Sequence, residues 1–220
     1  MRKLGLLGCL VLVVLVLVIG GWWVGARNNF VRLNEQVDSQ WAQVESQYQR
    51  RFDLIPNLVR TVEGAANFEK STLIEVVNAR SRVGQVQGGA TSGPPTASSL
   101  PDNPQGMEQF AAAQQGLSSA LSRLLVVVER YPELKSNQNF LELQSQLEGT
   151  ENRISVERQR YNGTVQAYNA AIKQFPGSVV AGSKFREKAY FRGTEGSAQA
   201  PNVNFPSFGG STTSGTTGTR

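Results

Sequence analysis

Residues 45–64 read ESQYQRRFDLIPNLVRTVEG. Helical patterning enters this stretch from one side and leaves it on the other, yet Arg50, Arg51, Asp53 and Pro56 interrupt it. A proline deep in a helix removes a hydrogen bond and clashes with the preceding turn, costing about 3 kcal/mol, whereas in a first turn it costs little. Asp53 is a competent N-cap and would put Leu54 at N1, Ile55 at N2 and Pro56 at N3. Arg50 and Arg51 then close the preceding helix, where positive charge complements the dipole. The stretch is expected to be a corner between two helices, its two exposed arginines forming a surface that a partner could read.

Upstream, Phe30, Leu33, Val37, Trp41, Val44 and Tyr48 recur in steps of three and four, which predicts an amphipathic helix over about 30–52. Downstream, Leu54, Leu58, Val62, Leu73, Val76, Val83 and Val86 predict a second over about 54–86. QGGATSGPPTASSLPDNPQ, residues 87–105, has the composition of a flexible linker. Met107, Phe110, Leu117, Leu121, Leu124 and Val128 mark a third helix, about 106–131, ending against Pro132. Phe140, Leu147, Ile154, Tyr161, Val165, Tyr168, Ile172 and Phe175 place a fourth over about 133–175, closed by Pro176 and Gly177. A shorter amphipathic piece, SVVAGSKFREKAYF, follows. Residues 193–220 are rich in Gly, Ser and Thr, and such a tail is expected to be disordered because it cannot bury enough apolar area to offset chain entropy. Phe205 and Phe208 in that tail are candidates for docking back onto the domain.

Residues 1–27 contain LGLLGCLVLVVLVLVIGGWWVGA, uncharged and long enough to cross a hydrocarbon core of roughly 30 Å at about 1.5 Å per residue. Trp22 and Trp23 end the run, where amphipathic rings favour the membrane interface. A lipoprotein signal is disfavoured, since LLGC at Leu6–Cys9 has no apolar region of adequate length before the cysteine. Cleavage after Val24-Gly25-Ala26 is disfavoured too, because the apolar run exceeds the usual ~7–15 residues. An uncleaved signal-anchor remains. Arg2 and Lys3 before it nearly balance Arg27 and Arg32 after it, and a short stub ahead of a large domain fits an orientation that leaves the domain outside the cytoplasm. The expected architecture is all-α: a transmembrane helix, then an antiparallel four-helix bundle over residues 28–192 joined by short connections.

The chemistry on offer is narrow. There is no histidine, and the single cysteine, Cys9, lies in the apolar run, which removes imidazole acid/base catalysis, disulfides and His/Cys metal sites. Net charge is +5, but the cations are spread along the chain rather than clustered, so nucleic acid is not an expected partner. Glu148 and Glu151 share a helix face as acid/base or di-metal carboxylates would, but a di-iron bundle also needs Glu-x-x-His pairs. No catalytic residue, metal or cofactor is expected. Tyr161-Asn162 and Tyr168-Asn169 lie seven apart and therefore on one face. With Glu148 and Asn152 they are expected to form a polar ladder between helices.

VRLNEQVDSQWAQVESQYQRRFDLIPNLVRTVEG, ERYPELKSNQNFLELQSQLEGTENRISVERQRYN, YNAAIKQFPG and APNVNF occur in that order. Over roughly Asn29 to Phe205 the chain thereby resembles the LemA family of bacterial membrane proteins. The resemblance implies a bacterial source, an N-terminal anchor and a four-helix bundle, and transfers no catalytic residues. The expected role is a non-enzymatic scaffold or modulator of other envelope membrane proteins, held as a single-pass protein in the bacterial cytoplasmic membrane. Homo-oligomerisation that shapes the membrane is the alternative, and a carboxylate-based hydrolase stands behind it.

Overall fold

The computed structural model describes residues 2–64, 68–88 and 97–192. Among these residues there are six α-helices, a 3-10 helix and no strand: α1 Arg2–Glu63, α2 Lys70–Gly88, the 3-10 helix Ala97–Asp102, α3 Pro104–Val128, α4 Pro132–Lys135, α5 Gln138–Lys173 and α6 Gly177–Ala181.

The corner expected at Asp53 does not exist. Helix α1 is continuous over 62 residues, with Pro56 inside it. Its apolar stripe carries on past Tyr48 through Arg51, Ile55, Leu58 and Val62, all buried, still in steps of three and four. The proline frees the carbonyl of Phe52, four residues back, which would otherwise accept from residue 56. Arg80 of α2 fills that role: its Nε donates to the Phe52 carbonyl at 3.4 Å while its guanidinium lies 3.8 Å from the Phe52 ring centroid. A charged donor and a cation–π contact thus offset part of what Pro56 costs. Asp53 caps nothing. It is exposed and accepts from Gln49 Nε2 at 2.9 Å, one turn earlier.

Three other boundaries move. Residues 97–105 are ordered structure rather than linker: Pro101 is buried, and Asn103 caps α3 by accepting from the Gly106 amide at 3.0 Å, with Pro104 in the first turn. The fourth helix is two. Pro132 opens the single turn of α4, Ser136 ends it, and Asn137 then caps α5 by accepting from the amides of Asn139 and Phe140. Helix α5 stops at Lys173, so Phe175, assigned above to the core stripe, is 83% exposed.

Helices α1 and α5 run antiparallel, with Arg51 beside Glu151 and Trp41 against Tyr161. Helices α2 and α3 form the other antiparallel pair, tied by Glu75–Arg123 at 2.6 Å and Glu69–Arg130 at 3.4 Å. Two buried clusters fill the bundle. The one toward the end of α1 joins Ile55, Leu58 and Val62 to α2, α3, α4 and the start of α5. The other joins Phe30, Val37, Trp41, Val44 and Tyr48 to Phe110, Tyr161, Val165 and Tyr168, and to Ala189 and Phe191 beyond α6. The N-terminal part of α1 is long and apolar enough to cross a membrane, and none of that window is buried against the bundle.

Because Asn137 is the working cap and Asp53 is not, Asn137→Ala should cost about 0.5–2 kcal/mol in urea unfolding. Asp53→Ala should stay within about 0.5 kcal/mol of the parent, as for an exposed mid-helix site.

Candidate functional site

Arg51 sits on the apolar stripe of α1, and its side chain is only 3% exposed. A guanidinium taken out of water must be paired and hydrogen-bonded, or it costs several kcal/mol. Its Nη1 bonds Glu151 at 2.6 Å and Ser118 Oγ at 3.0 Å, and its Nη2 bonds the side-chain oxygen of Gln114 and, at 3.4 Å, the Gln114 carbonyl. One cation therefore binds α3 and α5 to α1. Among the described residues its Nε finds no acceptor, nor does the hydroxyl of Tyr48, whose ring centroid is 5.2 Å from the guanidinium carbon. Arg50, expected beside it, is exposed, so the two adjacent arginines face opposite environments.

Above Arg51 opens a cleft of about 900 Å³ between α3 and α5. Four arginines line it, Arg51, Arg123, Arg158 and Arg192, against a single carboxylate, Glu151, and serines and glutamines supply most of the remaining wall. Arg51 is committed to Glu151 and Arg123 to Glu75. Arg158 lies 3.8 Å over the ring of Phe191, and no carboxylate pairs with it or with Arg192 among the described residues. The cleft is suited to receive acceptors and negative charge.

Helix α5 bears the two Tyr-Asn pairs on one face, and what they meet is a segment outside any helix, residues 186–192, rather than another helix. Asn162 exchanges two bonds with the backbone of Phe191, at 2.8 and 2.9 Å, and Asn169 does the same with Lys188, at 2.9 and 3.0 Å. Tyr161 donates to the Ala189 carbonyl at 2.8 Å. The spacings agree: seven residues of helix rise roughly 10 Å, and three residues of extended chain span about the same. Each carboxamide thus stands in for a neighbouring strand. The segment is further held by the Ala189 amide on the Pro101 carbonyl at 2.7 Å and by buried Lys188, which pairs with Asp102 at 2.9 Å and Asp38 at 3.4 Å. Glu148 and Asn152 do not belong to this ladder: both are exposed, and Glu148 accepts from Gln144 within α5.

Trp22 and Trp23 are exposed on the apolar part of α1, and Phe205 and Phe208 lie outside the described residues. No group of three or more His, Cys, Asp or Glu side chains is placed to hold a metal among the described residues. Gln114, Ser118, Arg158 and Lys188 are the residues that sequence reasoning missed. The signal available was Arg51 itself, three residues after Tyr48 and four before Ile55 on the stripe.

Lysine cannot reproduce a guanidinium fork that reaches four acceptor groups on three residues, so Arg51→Lys should cost about 1–3 kcal/mol in denaturant unfolding. Glu75→Ala, which breaks the exposed pair with Arg123, should cost less than about 1 kcal/mol. Burial pushes the Tyr48 phenol up to about 12, with Arg158 and Arg51 pulling down and Glu151 pushing up. Tyr161 and Tyr168 are raised as well, first by burial and then by Asp102 and Asp38. Raised phenol pKa values add stability that is complete below the unfolded value near 10 and lost as pH climbs through the folded ones. Unfolding followed by circular dichroism should therefore set in above pH ~10, together with the tyrosinate absorbance rise.

The sequence model of the LemA family matches residues 40–205, which takes in the Arg51 centre, the cleft and the extended segment. Magnetosome protein MamQ 2 of Paramagnetospirillum magneticum is 28% identical over 178 residues, 75% of this chain and 64% of its own length. Magnetosome protein MamQ of Magnetospirillum gryphiswaldense is 26% identical over 173 residues, 74% and 64% of the two chains. Protein LemA of Metamycoplasma hominis is 23% identical over 159 residues, 72% and 65%. The chain spans slightly less than two thirds of the length of these curated relatives. With the family pattern covering most of its residues and a helical bundle behind an apolar N-terminal helix, the chain belongs to the LemA family.

Proposed function

We propose that this chain is a non-enzymatic, single-pass protein of the bacterial cytoplasmic membrane whose bundle, outside the cytoplasm, scaffolds or modulates other envelope membrane proteins. The observation that carries the proposal is the α3–α5 cleft, four arginines to one carboxylate, two of the arginines without an acidic partner among the described residues. Such a wall selects an acidic, extended segment of a partner through charge-assisted bonds to Arg158 and Arg192. The absence of histidine supports a binding role over catalysis, as does the pairing of Glu151 with Arg51, while Glu148 accepts from Gln144 on the exposed face of α5. The apolar α1 segment supports the anchor, and kinship with magnetosome proteins is in keeping with a membrane setting.

A photoreactive residue at Ser119, on the cleft wall, should give one reproducible crosslink in intact cells, to a protein whose crosslinked segment is acidic. Arg158→Glu with Arg192→Glu should abolish it while leaving the bundle folded. A crosslink that survives both charge reversals overturns the reading, as does recovery of the chain alone. Digestion of the bundle by protease added to spheroplasts is the expected result for its orientation.

Self-association is the second reading. It is favoured by Ile74 and Val77, 57% and 46% exposed and three apart on α2. Ile74→Lys would return such an assembly to monomer in light scattering.

A further inference from the structure

Among the described residues the most exposed large apolar side chain is Phe175, at 83%, and Val179 close by is 60% exposed. Neither belongs to the cleft. Both stand where α5 ends and α6 begins, against the base of α1: the ring of Phe30 meets Phe185 at 5.4 Å, and a side chain on Gly177 would press on it. The antiparallel register set by Arg51 beside Glu151 and Trp41 beside Tyr161 brings Ile172 about level with Phe30, and Phe175 about level with Arg27. Arg27 is four residues past Trp23, roughly 6 Å along the helix. The headgroup layer on each side of a bilayer is itself roughly 5–8 Å deep. Moreover, Ala26 already packs against the bundle core, so no spacer separates the span from the domain.

Unpaired cations outnumber unpaired carboxylates around this end, where Glu35, one turn past Arg32, is the exposed acid without a cationic partner among the described residues. Arg27, Arg32, Lys184 and Arg186 are exposed, and no carboxylate pairs with them among the described residues. Glu187 is taken by Lys173, and Asp38 and Asp102 by Lys188. Exposed aromatic and aliphatic groups ringed by cations match the interfacial layer of an anionic bilayer.

We infer that the base of the bundle is itself a membrane-contacting surface: Phe175 and Val179 enter the interfacial layer of the bilayer that α1 spans, and Arg27, Arg32, Lys184 and Arg186 hold them against anionic headgroups. This rests on the anchoring reading above and is independent of the cleft. It converts a single-helix tether into a two-point seat, which fixes the tilt of the bundle.

The test uses the full chain with Cys9→Ser and one new cysteine at a time, Leu15→Cys, Phe175→Cys or Val126→Cys, each labelled with a polarity-sensitive dye. The proteins are placed in phosphatidylcholine vesicles containing phosphatidylglycerol, with a nitroxide-bearing lipid as quencher. Dye at residue 175 should shift to the blue and be quenched by the nitroxide lipid, as at residue 15 and unlike residue 126. Lys184→Glu with Arg186→Glu should remove most of that quenching. If residue 15 is quenched and residue 175 behaves like residue 126, the seat is wrong although the anchor stands. If residue 15 also fails, the anchor has failed. A blue shift at residue 175 without quenching means that protein, such as a second copy, covers it, and this too overturns the seat. Equal quenching in neutral vesicles overturns the role given to the cations.

Discussion

The guanidinium of Arg51 is the interaction around which the bundle is arranged. It takes an apolar position on α1, and its charge is tolerable there only because Gln114 and Ser118 on α3 and Glu151 on α5 arrive at one level. Sliding either helix by a turn would strand a buried charge, whereas an all-apolar seam would slide at little cost. Lys188 repeats the device nearer the apolar end of α1, joining the extended segment to α1 through Asp38 and to the 3-10 helix through Asp102. Two buried cations, each spanning three elements, set the vertical register of a fold whose cores are otherwise interchangeable leucine, valine and aromatic surfaces.

This register also creates the cleft. Holding α3 and α5 by polar side chains at the level of Arg51 leaves a gap beside them, and its wall combines the rings of Tyr48 and Phe191 with serines and arginines. Phe191 joins the cleft to the buried core: it stacks on Tyr48 at 6.2 Å, meets Phe110 edge-on at 6.3 Å and carries Arg158 over its ring. Its backbone is held by Asn162, so the cleft wall and the extended segment are one mechanical unit.

The all-α class, the apolar N-terminal helix and most core positions were legible because long helices repeat their signal many times. What misled was local. Arg51 looks like a stripe breaker, and Asp53 with Pro56 reads as a first turn; part of what offsets the proline comes from Arg80, 28 residues away, which no local pattern reveals. Asn137 was a visible cap, but Pro132 five residues earlier gave a stronger start signal and hid it. The shared face of the Tyr-Asn pairs was read correctly and its partner was not, since residues 186–192 have no helical period and too few residues for a strand pattern. An asparagine that pairs with extended backbone and one that pairs across helices look the same in sequence.

Continuity of α1 has a mechanical consequence. A helix of 62 residues is a rod about 90 Å long, and it contains no joint between the part suited to lipid and the part that carries the bundle. Tilting the lower end by only ~10° sweeps the upper end sideways by roughly 10 Å, because some 60 Å of rod stand beyond the tryptophans. With the apolar part of α1 in a bilayer, any change of tilt there is amplified into lateral displacement of the far end, the helix acting as a lever, and a contact that holds the base of the bundle restrains that end with the same leverage.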